Sequence, residues 1–151
     1  PLYSVFTVDS IALPKLQKGK LNGVLGSLNT QFWGPDLDTP QNKKFVSGFR
    51  KKYGRYPSFY AAQSYDMMYL IKSAVEAVKG DMHNQDGLRA AMEKADFPSV
   101  RGKFSYGNNH FPIQNFYLRK VVKDADGNWT TTIVDTVFKN HQDTYASLCK
   151  L

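Results

Sequence analysis

Apolar positions recurring every three and four residues single out one stretch of the chain. In residues 56–80, YPSFYAAQSYDMMYLIKSAVEAVKG, the residues Ala61, Tyr65, Met68, Ile71, Val75 and Val78 share a helical face, and Leu70, Ala74 and Ala77 widen it. Gln63, Asp66, Ser73 and Glu76 form a thinner polar stripe. Pro57 forbids helix before it, Ser58 suits an N-cap, and Gly80 supplies the stop with Lys79 just inside. The pattern predicts one long helix, mostly buried, as a core element of an α/β layer. Packing alone accounts for most of its residues.

The rest of the chain can be placed around that helix. Residues 2–8 (LYSVFTV) read as a short strand, and Asp9 or Ser10 can cap a modest helix over 11–17 despite Pro14. Residues 21–28 (LNGVLGSL) read as a second strand, with Gly23 and Gly26 permitting close backbone approach. Strand, helix, strand is the crossover unit of a parallel sheet. An irregular segment over 29–41 leads to an amphipathic helix over 42–53, carrying Phe45, Val46, Phe49 and Tyr53, which Gly54 ends. A third helix is predicted over 86–94, an extended run over 100–106 and a turn at 107–109. Strands over 116–122 and 129–138 flank a hairpin turn at 124–128, marked by Asp126-Gly127. The tail, 141–149, reads as short helix or coil. A sheet visited, left and re-entered is how a discontinuous two-lobed α/β protein reads.

Composition narrows the classes. With 151 residues, 42% of them hydrophobic, the chain can build a real core, and no apolar run approaches a membrane span. It begins at Pro1 without an initiator Met, so a processed or truncated product is expected. The formal charge is +7, but the densest basic group, Lys43, Lys44, Arg50, Lys51, Lys52 and Arg55, reads more simply as a solvated helix face. No nucleic-acid-reading module accompanies it, and no nucleic-acid partner is expected. His83, His110 and His141 lack ligand spacing, and the acidic turn at 124–128 lacks a calcium-loop register. Asn128-Trp129-Thr130 is a formal glycosylation sequon at a turn-to-strand edge. With no nucleophile elbow, phosphate loop or dinucleotide fingerprint, no metal, cofactor or enzymatic activity is expected, and binding is the default. Cys149, the single cysteine, is either a free thiol or bonded to a partner outside this chain. Aromatic residues crowd the irregular segments: Phe32 and Trp33, then Tyr53, Tyr56, Phe59 and Tyr60, then Phe104, Tyr106, Phe111, Phe116 and Tyr117. Small-molecule sites have such linings, although core and hinge packing explains most of these side chains.

Several stretches together carry a resemblance: VFTVD, LNTQFWGPDLDTPQN, FVSGFRKKYGRYPSFYAAQSYDMMYLIKSAVEAV and VRGKFSYGNNHFPIQNFYLRKVV. Over essentially its whole length the chain resembles the C-terminal portion of type I periplasmic substrate-binding proteins, which serve ABC importers of the branched-chain amino acid family. The likeness is greatest to members that carry aromatic carboxylates. The resemblance implies an α/β fold of two lobes that close on a ligand like a hinged clamp. Residues 1–28 would belong to the second lobe, 29–110 to the first lobe's helices with hinge crossings, and 111–151 to returning second-lobe strands. Family members are more than twice as long, so the missing N-terminal part would hold the signal peptide, most of the first lobe's sheet and the groups that grip the ligand carboxylate. Cys149 would then pair with an upstream cysteine, and the uncovered faces would favour a homodimer.

For the site, the resemblance places a family ammonium partner near Phe6-Thr7-Val8-Asp9. Thr7 at that position would suit a ligand without an amine; Asp9 would leave an amino acid possible, or Asp9 is simply an N-cap. Tyr56, Phe59 and Tyr60 would form an aromatic wall, Phe59 and Tyr60 stacking on a ring for roughly 0.5–1.5 kcal/mol beyond area burial. The implied function is an extracytoplasmic, periplasmic solute-binding component partnered by a membrane permease. The alternative is a ligand-sensing domain of a regulator or receptor on the same fold.

Overall fold

Capping residues set the central helices. Thr39 accepts a hydrogen bond from the Asn42 amide at 3.1 Å, and Pro40 takes the first position of α2 (Pro40–Tyr53). Gly54, at φ +65°, ends α2 in the left-handed conformation. Ser58 likewise accepts from the Ala61 amide at 3.2 Å and opens α3 (Phe59–Ala77). At the far end the Gly80 amide reaches the Val75 carbonyl at 2.9 Å, closing the last turn. The computed structural model describes residues 2–150; Pro1 and Leu151, the outer ends of the first and last predicted segments, lie outside the described residues.

The remaining elements are β1 (Tyr3–Val5), α1 (Leu13–Lys18), a 3-10 turn (Asn22–Val24), β2 (Leu28–Gln31), α4 (Gln85–Lys94), β3 (Ser105–Tyr106), β4 (Pro112–Lys123), β5 (Trp129–His141) and a second 3-10 turn (Ala146–Leu148). The fold is α/β, and its crossover from β1 to β2 is parallel, with Tyr3 opposite Leu28. The sheet as a whole is mixed: β2, β3 and β5 all pair antiparallel with the long β4. The hairpin turn forms at 124–128, where Asp124 Oδ1 accepts from the amides of Asp126 (2.9 Å) and Asn128 (2.8 Å).

Several expectations need correction. The first strand is shorter than residues 2–8, because Phe6 has φ +59° and leaves the extended conformation. Residues 21–27 hold a 3-10 turn followed by a second turn at Leu25–Gly26, and the strand begins only at Leu28. There Gly26 turns at φ +82° and gives its amide to the Val121 carbonyl. Of the extended run 100–106, only Ser105–Tyr106 pairs as strand. The long helix is not mostly buried: Tyr60, Met67, Met68 and Ile71 are exposed, Met68 by 61%. Asp66, read as part of the polar stripe, is 1% exposed.

Two apolar clusters hold these elements. One joins Phe32, Trp33, Phe45, Val46, Phe59, Ala62 and Val100. The other joins Val8, Leu13, Val24, Val121 and Trp129. Between them lies a buried polar framework. The Arg119 guanidinium donates to Asn29 Oδ1 (2.6 and 2.9 Å) and to the carbonyls of Trp33 (3.1 Å) and Val8 (3.3 Å). Burial pushes its pKa down to about 10, against the raising influence of Asp9 and Asp36, so it stays cationic at neutral pH. Asn42 accepts from Trp33 Nε1 at 2.8 Å and donates to the carbonyls of Gly34, Pro35 and Leu37. This one side chain fixes the loop after β2. Gly34 is required there, since a Cβ would sit 2.9 Å from an Ile133 carbon.

Candidate functional site

Phe6 leaves β1 in its left-handed turn and lays its ring against Phe32 (centroids 6.3 Å apart) and Phe59 (5.8 Å). Phe32 meets Phe59 edge-on at 6.0 Å, and Phe59 stacks on Tyr60 at 4.0 Å. Four aromatic side chains from the turn after β1, the loop after β2 and the first turn of α3 thus run together toward solvent. Phe6 and Phe32 form one wall of a cleft of about 510 Å³. Phe111, Phe116 and His141 line it from β4, β5 and the preceding turn, with Gln63, Gln114 and Arg101 supplying polar groups. A largely aromatic cleft with a few converging polar groups suits a small, flat, partly polar molecule.

Arg101 is held from several directions. Its Nε donates to Asp66 Oδ2 at 2.9 Å and its Nη1 to Gln114 Oε1 at 3.1 Å. The guanidinium lies over Phe104 (4.2 Å to the centroid) and beside Phe32 (5.7 Å). Asp66 is itself locked from α3 by Ser99 Oγ and the Val100 amide (2.8 Å). A fully buried carboxylate with three donors, one of them a guanidinium, ties α3 to the segment leading into β3.

The six residues singled out in the sequence fall in different places. Phe6, Phe59 and Tyr60 come together; Phe6 is half-exposed on the cleft, Phe59 is buried behind it, and Tyr60 is 60% exposed. Thr7 is exposed. Asp9 turns inward: its Oδ1 accepts from the Ile11 amide at 2.8 Å and its carbonyl accepts from Ala12 and Leu13. Tyr56 lies away from the aromatic run, donating its hydroxyl to Asp124 Oδ2 at 3.0 Å beneath Arg50. Burial and that hydrogen bond raise the Tyr56 pKa. The sequence reading did not single out Arg101, Gln63 or Gln114 for the site. Arg101 does stand in the VRGKF stretch, but its partner Asp66 is remote in sequence.

A mixed sheet with packed helices is the fold of periplasmic solute-binding proteins. The chain belongs to the family described as periplasmic binding protein, whose model matches residues 2–128. It is 34% identical over 120 residues to the Leu/Ile/Val-binding protein homolog 6 of Brucella abortus, a match covering 76% of this chain and 30% of that protein. In structure it resembles an ABC-transporter solute-binding protein of R. palustris solved with benzoate. There the TM-score is 0.83 and the identity 30%, over 100% of this chain and 39% of that one. A solute-binding protein of Rhodopseudomonas palustris HaA2, solved with p-hydroxybenzoic acid, gives a TM-score of 0.76 at 29% identity, over 95% of this chain and 38% of that one. The chain therefore spans roughly a third of the length of the relatives it matches. Among the described residues no helix is long and apolar enough to cross a membrane.

Proposed function

We propose that this chain is part of the periplasmic solute-binding component of an ABC importer, and that the solute is an aromatic carboxylate. The observation that carries the reading is the run Phe6–Phe32–Phe59–Tyr60 opening onto a cleft, in a chain whose similar structures were solved with benzoate and p-hydroxybenzoic acid. The segment 6–9 presents a phenyl ring to the cleft and keeps the Asp9 carboxylate in its own turn, which supports a ligand without an amine. The two apolar clusters support the lobe assignment. The Val8–Leu13–Val121–Trp129 cluster draws on residues 2–28 and 111–150, and the buried members of the Phe32–Phe45–Phe59–Val100 cluster all lie within 29–110, with Phe6 and Phe116 packing onto it from the flanking segments.

Hinge closure of the two lobes over the ring would bury the solute and present a changed surface to a membrane permease. In this reading the exposed Met67, Met68 and Ile71 face is covered by the rest of the first lobe, or by a second copy where the chain stands alone. Cys149 forms a disulfide with a cysteine elsewhere in the protein. The test is a calorimetric titration of the intact protein with benzoate, 4-hydroxybenzoate and leucine. Micromolar binding of the aromatic acids is expected; binding of leucine alone overturns the reading. The isolated 151-residue chain is expected to bind far more weakly, since it supplies one part of the clamp.

A further inference from the structure

We propose that Gln63 reads the end of the ligand remote from its acid group, so that the site takes a hydroxylated aromatic acid in preference to the bare ring. The assignment rests on the aromatic-acid reading above. The groups that grip the carboxylate are expected in the part of the protein outside these 151 residues. The opposite end of the ring is then what this chain is left to recognise. Five polar side chains line the cleft, and most are already committed. Arg101 donates to Asp66 and to Gln114 Oε1. Asp143 is turned to the tail, accepting from Asn109 Nδ2 at 2.7 Å and from the Tyr145 amide at 3.1 Å. His141 packs its ring against Phe116 at 5.7 Å and Phe138 at 5.0 Å. Gln63 differs from all of these: it is exposed, and no described residue hydrogen-bonds its amide.

Its place on α3 suits the role. Gln63 follows Phe59 by one helical turn on the same face and borders the cleft together with Phe6 and Phe32. A ring lying against Phe6 and Phe32 turns its face to them and its substituents sideways, toward the side chains that border this wall. Gln63 is the uncommitted polar group on that side, while His141 belongs with Phe111 and Phe116 on the other. The chemistry selects the substituent. A primary amide both donates and accepts, so it can take the proton of a ring hydroxyl or donate to its oxygen. With Asp143 occupied, no described lining residue offers a free carboxylate to an ammonium substituent, so a neutral hydroxyl is the group that fits. A site that hydrogen-bonds a hydroxyl discriminates against the analogue lacking it. One neutral bond of this kind is expected to be read as about tenfold in affinity.

The experiment titrates the intact protein with 4-hydroxybenzoate and benzoate, in wild type, Gln63→Met and Gln63→Glu, and reads the ratio of the two affinities. Wild type is expected to prefer 4-hydroxybenzoate by about tenfold. Gln63→Met, which keeps the length of the side chain and removes its polar atoms, should bring the ratio near one with benzoate binding little changed. Gln63→Glu keeps an acceptor for the hydroxyl proton and should keep the preference, since its charge weakens both acids alike. A preference that survives in Gln63→Met overturns the assignment, as does an equal loss for both compounds, which would mark a merely structural role. Loss of the preference in His141→Phe but not in Gln63→Met would also overturn it. Should Gln63→Met not fold, the wild-type ratio and Gln63→Glu decide. Equal binding of the two acids by wild type rejects the role of Gln63 and leaves the aromatic-acid reading standing; failure to bind either rejects both.

Discussion

Two aspartates do similar work in unlike surroundings. Asp66, in the middle of α3, accepts from Ser99, Val100 and Arg101, and its side chain and that of Arg101 are 2% and 8% exposed. Asp124, in the hairpin turn, accepts from Tyr56 and from the amides of Asp126 and Asn128, with Arg50 at 3.6 Å. Both tie an α-helical part of the chain to a distant segment. Water can replace the partners of Asp124 in part, since its side chain is 13% exposed, Arg50 is 38% exposed and the rest of the turn is open to solvent, whereas nothing can replace those of Asp66. The buried node should therefore behave as a keystone of the cleft wall and the surface node as an adjustable tie.

The sharpest way to break this contrast is Asp66→Ala. Removing the carboxylate leaves Arg101 Nε, the Val100 amide and the Ser99 hydroxyl proton without their acceptor and the guanidinium without its counter-charge, at a cost of about 3–5 kcal/mol. Chemical denaturation is expected to show that loss. A cost below about 1 kcal/mol would mean that the node is wet, and the comparison with Asp124 would collapse. Next in size is Asp124→Ala, which frees two turn amides and the Tyr56 hydroxyl for about 1–2 kcal/mol.

The same surface node can be probed by pH. Burial works to raise the Asp124 pKa, but hydrogen bonds from Asn128, Tyr56 and Asp126 outweigh it, so the folded value lies below 3.8. A depressed carboxylate pKa means that the unfolded chain binds the proton first. Its contribution is complete well above pH 3.8 and is lost as pH falls through the folded value. Protection of the Asp126 and Asn128 amides against hydrogen exchange, taken relative to their intrinsic rates at each pH, should fall as pH drops below 3.8, and Asp124→Asn should remove that step. Persistence of the loss of protection in Asp124→Asn would assign it to another group.

What the sequence made legible follows the same division between local and distant partners. Ser58 at the start of α3, Gly54 at the end of α2 and the Asp124–Asn128 turn could be read because each cap or turn bonds within a few residues of itself. Residues 21–28 misled because their apolar pattern resembles a strand, while the register that sets β2 comes from Arg119 and Lys120 on β4, far along the chain. The exposed face of α3 was illegible for a related reason: periodicity reports which residues are apolar, not whether a neighbour is present to cover them. In the candidate site, Phe59 and Tyr60 stood out as aromatic residues around the start of the long helix, and Phe6 only through the family resemblance of the 6–9 segment. Arg101 did not, because its positioning depends on Asp66 and Gln114, which only the fold brings to it.

A third acidic residue, Glu76, supplies the baseline that separates burial from mere pairing. It sits on the same helix as Asp66 and pairs with Lys72 at 2.6 Å across one turn, but both side chains are more than 60% exposed. Coulomb attraction at that distance is largely cancelled by water and by the entropy of holding two long side chains together. The acid lies C-terminal to the base, the less favourable order for such a pair. Lys72→Ala should consequently change stability by less than about 0.5 kcal/mol, and salt should shrink even that. Measured beside Asp66→Ala on the same helix, it tests burial directly. If the two substitutions cost similar amounts, enclosure by Ser99, Val100 and Arg101 would not be what makes Asp66 strong, and the rigidity attributed to the cleft wall would need another source.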